Sequence, residues 1–167
     1  GPSGIGKSTV LRIVAGLDAA FDGEVQRPEA VAMVFQEPTL LPWRSALHNL
    51  TLVHPDVSDT AARAMLARVG LKGREAAFPR SLSLGQQRRL ALARAFAGAP
   101  EMLIMDEPFV SLDAELAEAM LCLTEDLIAE HRPATIFVTH ARDEADRLAS
   151  RVLELRGTPA TLTPHLI

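Results

Sequence analysis

Apolar residues fall in four short runs, separated by longer segments in which they recur every three or four positions. The runs Ala30–Phe35, Met102–Met105, Thr135–Thr139 and Val152–Leu155 are predicted strands. Three of the four are nearly continuous in apolar character, the pattern of parallel strands covered on both faces. Helical spacing falls on Lys7–Ala15, Thr60–Val69, Gln86–Ala97, Ala114–His131 and Arg142–Ala149. Strands alternating with helices predict an α/β fold with a mostly parallel sheet flanked by helices. Between Leu47 and Arg80 the alternation lapses into a helical, loop-rich stretch punctuated by Pro55, Gly73 and Pro79. This predicts a helical subdomain inserted between two strands, covering residues 47–98. The closing stretch Gly157–Ile167 carries two prolines and reads as a loosely attached tail.

At 167 residues the chain is long enough for one domain with a sizeable core. Its 48% hydrophobic and 23% charged residues place it among folded globular chains rather than disordered ones. No stretch reaches the roughly 18 apolar residues that span a bilayer, so a membrane role would come through a partner. The single cysteine, Cys122, excludes an internal disulfide and a cysteine-based metal site. Its helical setting predicts a buried small hydrophobe. A net charge of −4 disfavours nucleic acid as the main ligand. It does not disfavour a nucleotide, which needs only local positive charge.

Local positive charge is present at the start of the chain. Gly1-Pro2-Ser3-Gly4-Ile5-Gly6-Lys7-Ser8-Thr9 fits G-x-x-x-x-G-K-[ST], the phosphate-binding loop of nucleotide triphosphatases. Glycines let the backbone wrap a polyphosphate with its N–H groups inward, and the helix that follows adds its positive end. Lys7 is placed for the β- and γ-phosphates and the Ser8 hydroxyl for Mg²⁺. Such a loop follows a buried strand, yet the sequence opens at its first glycine. We therefore expect a fragment lacking the strand that feeds the loop. A second signal is Met102-Leu103-Ile104-Met105-Asp106-Glu107, an apolar strand ending in two acids. Ligands of open α/β sheets sit beyond the carboxyl ends of the strands, so these acids should emerge beside the phosphate loop. Asp106 would hold Mg²⁺, and Glu107 would polarise the water that attacks the γ-phosphate.

Taken in order, these motifs resemble the nucleotide-binding domain of ATP-binding cassette (ABC) ATPases, a P-loop NTPase fold. The phosphate loop matches the family's Walker A, and Met102–Asp106 its Walker B, with Glu107 as the catalytic acid. The resemblance also implies a Q-loop glutamine at Gln36, acting at the catalytic site and on the metal. It implies a D-loop at Ser111-Leu112-Asp113, a switch histidine at His140 and a signature segment within Ser81–Arg89. There Ser83, Gly85 and Gln86, with Asp113, would meet nucleotide. The implied assembly is a head-to-tail homodimer holding two ATP molecules, each between the Walker A of one copy and the signature of the other. The chain departs from the family in having Leu84 where the signature has glycine. The family's adenine-stacking aromatic lies upstream of the phosphate loop and has no counterpart here.

The segment after Gln36, running to Leu50 through Leu40-Leu41-Pro42-Trp43 and Asn49, looks like that of ATPase subunits of bacterial nitrate, sulfonate and taurine importers. This implies an integral-membrane permease as partner, contacted through Gln36–Leu50, with a solute-binding protein engaged indirectly. It also implies a peripheral position on the cytoplasmic face of the bacterial inner membrane. Trp43, Leu40 and Leu41 would be the apolar anchors, unless Trp43 packs inside the helical subdomain. Two alternatives stand beside a transport ATPase. One is a soluble ABC ATPase of translation or chromosome maintenance, the other a degenerate cassette that does not hydrolyse ATP.

Overall fold

The computed structural model describes residues 1–164 of the chain. Its centre is a three-stranded parallel sheet in the order β1-β2-β3, formed by Val31–Val34, Met102–Asp106 and Ala134–Val138. The middle strand β2 is the core of the molecule, with Leu103, Ile104 and Met105 fully buried. Leu103 and Met105 join the main apolar cluster, whereas Ile104 points to the opposite face and lies outside it. Helix α1 (Lys7–Ala15) packs on β1 and β2, and α4 (Leu84–Ala97) packs on β1 and on α5 (Ala114–His131). A strand covered on both faces has no polar side, which is why its sequence is a continuous apolar run.

The stretch between β1 and β2 folds into α2 (Ala46–Thr51), α3 (Asp59–Arg68), a 3₁₀ turn at Pro79–Ser81 and α4. Helices α2, α3 and α4 pack on one another, and their apolar faces continue the core of the sheet without a break. Leu50, Leu66, Leu90 and Phe96 sit in the same cluster as Leu103. Ser45 caps α2, Ser58 caps α3 and Ser83 caps α4, each through a hydroxyl accepting a backbone N–H in the first turn. Helix α2 has only six residues, too few for a periodicity to stand out in the sequence.

Helix α6 (Arg142–Leu148) is attached differently: none of its residues is buried. It is tied to α5 by Arg147, whose Nε donates to Glu125 at 2.8 Å and whose Nη1 donates to Glu118 at 2.8 Å. These bonds, to Glu125 above all, raise the pKa of Arg147, and the bond from Arg147 lowers that of Glu118.

Three expectations need correction. The run at Val152–Leu155 does not join the parallel sheet; β4 (Leu153–Arg156) pairs antiparallel with β5 (Thr161–Pro164) in a separate ribbon. Glu154 separates Leu153 and Leu155, which share one face of the strand, and only the Leu155 end of that face is covered: Leu155 is buried and Leu153 exposed. The stretch read as a loose tail therefore supplies a strand, although all four residues of β5 are exposed. The remainder of that expectation, residues 165–167, lies outside the described residues. Cys122 is exposed rather than buried. Its neighbours Leu121, Leu123 and Leu127 take the inner face of α5, leaving its sulfur to accept from Arg147 at 3.3 Å.

One buried polar residue organises the loop before α2. Asn49 is fully buried; its Oδ1 accepts from Leu41 N at 2.8 Å. Its Nδ2 donates to the carbonyls of Leu41, Arg44 and Ser45 at 3.2, 3.2 and 3.0 Å. These bonds fold residues 41–45 into a tight projection that leaves Trp43 67% exposed. Asn49→Ala strips those partners at once and should cost about 1–3 kcal/mol in urea unfolding, with new protease cleavage between 41 and 45. An unchanged midpoint and cleavage pattern would show that the loop holds itself.

Candidate functional site

The phosphate loop is built from backbone conformations that side chains disfavour. Gly4 and Gly6 have φ of 77° and 106°, and a Cβ added at either would meet no atom within 4 Å. The requirement is therefore for backbone geometry and open access rather than for packing space. Gly6 is the N-cap of α1, no side chain caps that helix, and its first turn contains no acid. The free N–H groups of the first turn are thus left as an anion site with the helix's positive end behind them. A cavity of about 220 Å³ lies against them, lined by Ser3, Gly4, Gly6, Lys7, Ser8, Thr9 and Glu107. Gly1, Pro2 and Ile5 complete the loop. The Lys7 ammonium donates to Gly1 O at 3.0 Å and Pro2 O at 3.1 Å, which fixes it across the mouth of its own loop.

The strand ends supply the counterpart. Glu107 leaves β2 in the left-handed region at φ 48°, and its N–H donates to Val138 O at 3.0 Å. A left-handed backbone costs a non-glycine residue about 1–2 kcal/mol, so the fold imposes this conformation on Glu107. The bond to Val138 holds the end of β2 to the end of β3, two residues before His140. His140 Nε2 then lies 2.8 Å from Glu107 Oε1, and Lys7 Nζ lies 3.9 Å from the same oxygen. The carboxylate is thus shared between a lysine of the phosphate loop and a histidine of the neighbouring strand end, at the wall of the cavity. Thr139 Oγ1 bonds the Glu144 carboxylate and accepts from Ala141 N at 2.9 Å, which shapes the turn carrying His140.

Ser8 lines the cavity, and Asp106 is half-buried at the end of β2 without lining it. Among the described residues no three His, Cys, Asp or Glu side chains gather around a common point. The donor set therefore does not form an all-protein cage. It fits Mg²⁺, which uses one or two protein oxygens together with phosphate and water. Gln36 follows β1 at the same end of the sheet, is exposed and is not among the residues that line the cavity.

The remaining predicted residues form a second group at the N-termini of α4 and α5. Ser83 and Gln86 make a reciprocal capping box: Ser83 Oγ accepts from Gln86 N at 3.3 Å, and Gln86 Oε1 accepts from Ser83 N at 3.0 Å. Asp113 caps α5 by accepting from Leu116 N at 2.9 Å. Gly85 lies against Leu116; a Cβ there would approach Leu116 Cδ1 to 2.9 Å. Leu84 occupies the first turn of α4, is half exposed and is not among the positive-φ residues. Its Cβ is accommodated without backbone strain. None of these residues lines the cavity. Sequence reasoning passed over Arg88 of α4, whose buried guanidinium grips the loop after Glu107. An arginine on the inward face of a helix was the available signal.

A parallel sheet with an uncapped glycine loop at one helix end and a carboxylate beyond the adjacent strand defines a P-loop nucleotide-binding domain. The sequence profile of the family described as ABC transporter matches residues 1–110, and the chain belongs to that family. Its relatives include aliphatic sulfonates import ATP-binding protein SsuB 3 of Paraburkholderia xenovorans, 45% identical over all of this chain and 71% of the relative. SsuB 2 of Nocardia farcinica is 51% identical over 93% of this chain and 66% of the relative. SsuB 2 of Rhizobium johnstonii is 49% identical over 93% of this chain and 64% of the relative. The chain thus spans about two thirds of the length of these relatives. Among solved structures, an ATP-binding cassette dimer in a post-hydrolysis state with ADP and Pi superimposes with TM-score 0.74 at 28% identity. That match covers 91% of this chain and 77% of the other. An ABC transporter in an inward-facing conformation shares the fold with TM-score 0.81 at 24% identity, over 98% of this chain and 70% of the other.

Lys7→Ala removes the cation at the mouth of the loop while its main structural partners are backbone carbonyls of an exposed turn. ATP affinity measured by calorimetry on the complete protein should fall at least about tenfold, with the melting temperature little changed. Equal affinity in both proteins would take the lysine out of phosphate binding.

Proposed function

We propose that this chain is the ATP-binding and ATP-hydrolysing part of a membrane importer, working as a homodimer at the cytoplasmic face of the membrane. The observation that carries the reading is the Glu107 carboxylate at the wall of the phosphate-loop cavity, 2.8 Å from His140 and 3.9 Å from Lys7. Hydrolysis needs a water activated on the far side of the γ-phosphate from the leaving ADP. Glu107 serves as its acceptor: Oε1 is occupied by His140, and Oε2 remains for the water's proton. His140, with Nε2 protonated, fixes the rotamer of the carboxylate. The free N–H groups of α1 and the Lys7 ammonium balance charge on the β- and γ-phosphates. Mg²⁺ held by the Ser8 hydroxyl and Asp106, with Gln36 reaching it from β1, would neutralise part of the phosphate charge.

Ser83, Gly85 and Gln86 lie outside the cavity of their own protomer, and this supports a head-to-tail dimer in which they meet the partner's nucleotide. The Ser83 hydroxyl is used as an acceptor within its own helix, so its O–H is still free to donate to a phosphate oxygen. Asp113 at the start of α5 belongs to the same face. A cassette that binds but does not hydrolyse ATP is disfavoured by the Glu107–His140 pair and by the unstrained helix start at Leu84. The net charge of −4 disfavours a soluble cassette acting on RNA or DNA.

The partner follows from the loop that Asn49 supports. Trp43 is presented to solvent on a rigid projection, the form of an apolar anchor for a permease helix. Among the described residues no helix is long and apolar enough to cross a membrane, so a permease would have to supply the pore. The names of the relatives support an aliphatic sulfonate or a similar small anion as the solute, delivered through a binding protein and selected outside this chain.

Glu107→Gln should retain ATP binding and lower turnover of the complete protein by at least about 100-fold, trapping the ATP-bound dimer. Unchanged steady-state turnover would remove Glu107 from this role. Trp43→Glu should leave the permease-free ATPase rate intact and abolish co-purification with the permease. Retained assembly would exclude Trp43 as an anchor.

A further inference from the structure

Arg88 is a charged residue buried in the interior, 8% exposed, on the second turn of α4. Its Nη1 donates to Pro108 O at 2.7 Å and its Nη2 donates to Val110 O at 3.0 Å, while Nε is buried without a partner. Among the described residues no carboxylate pairs with it. Burial lowers its pKa, yet an arginine remains charged. A buried cation without a counter-ion is costly, and core stability alone is served as well by an apolar side chain of similar size.

The position of the two carbonyls explains what the fork does. Pro108 and Val110 lie in the turn between Glu107 and Ser111, both left-handed residues, at φ 48° and 62°. The guanidinium therefore clamps a strained loop at its middle, one residue after the carboxylate that faces the cavity. The other end of the clamp is α4, whose first turn carries Ser83, Gly85 and Gln86. Gly85 is packed on Leu116 of α5, so the two helix starts and the loop form one rigid unit.

We propose that Arg88 is a positioning residue that couples the two ATP sites of the dimer, locking the signature end of α4 to the loop that aims Glu107. The proposal rests on the dimeric ATPase reading above. In that assembly α4 meets the partner's nucleotide and Glu107 serves its own. A shift of α4 when the partner's ATP binds is transmitted through a planar two-pronged contact rather than through compliant apolar packing. Because two carbonyls are gripped in a fixed fork, a lysine, which is a single point of charge, cannot reproduce the coupling.

The test compares the complete wild-type protein with Arg88→Met and Arg88→Lys, measuring ATP affinity, kcat and the cooperativity of turnover with ATP concentration. Arg88→Met is expected to keep ATP affinity within about twofold, because the phosphate loop is untouched. Its kcat should drop by about tenfold or more through a misplaced carboxylate, and its cooperativity should be lost. Arg88→Lys should retain the fold and lose most of the cooperativity. Wild-type kcat and cooperativity in the folded lysine variant would overturn the proposal, whether or not the methionine variant folds. So would a fall in kcat that merely follows lost affinity or a reduced folded fraction. If the wild-type protein itself failed to turn over ATP, the reading on which the proposal stands would fall instead.

Discussion

The hydrogen-bond ladder of β2 with its parallel neighbours is the constraint on which the site depends. Met105 is in register with Val34 on one side and Phe137 on the other, and Asp106 is in register with Val138. Because the strands run the same way and end together, Gln36, Glu107 and His140 leave the sheet at one edge. The extra bond from Glu107 N to Val138 O extends the ladder one step past the strand. That step sets the 2.8 Å contact between Glu107 and His140. A slip of one residue would turn every side chain of β2 to the opposite face and carry the carboxylate away from α1.

Around that ladder, stability and chemistry are divided between different atoms. The cluster running from Leu50 and Leu66 through Phe96 to Leu103 is apolar and closed. The site, by contrast, concentrates features that oppose folding: uncapped N–H groups on α1, left-handed backbones at Glu107 and Ser111, and a buried arginine with no counter-ion among the described residues. Each is held in place by the packed elements next to it. The backbone carbonyls that receive Lys7 and Arg88 show how this is done: main-chain dipoles direct both cations, Arg88 by carbonyls alone and Lys7 by carbonyls together with the Glu107 carboxylate.

Much of this was legible in the sequence for reasons that can be named. The apolar run of β2 identifies it because burial on both faces leaves no polar alternation, whereas β1 and β3 are less covered and are identified by apolar composition alone. The phosphate loop is legible because glycine spacing, lysine and the helix that follows are all local. Tertiary choices were less legible. Val152–Leu155 has a strand's composition, but only the pairing with Thr161–Pro164 makes it a separate antiparallel ribbon. Cys122 sits in an apolar helix, and which face is inward depends on where α6 lies. Arg88 signals only that it faces inward; its partners stay hidden, because they are carbonyls about twenty residues away and carbonyls have no sequence signature.

The attachment of α6 is mostly hydrophilic, with Leu148 at its end packed partly against the apolar core. The helix following His140 has no buried residue and is secured to α5 by the contacts of Arg147 with Glu118 and Glu125. Separating it would uncover little oily surface beyond Leu148, and water and dissolved ions can substitute for the ionic ties that break. A fastening of this kind can release and re-form without a large heat-capacity change, unlike the welded interior beneath it. The histidine end of the sheet is thus mounted on the part of the molecule whose grip the ionic composition of its surroundings can tune.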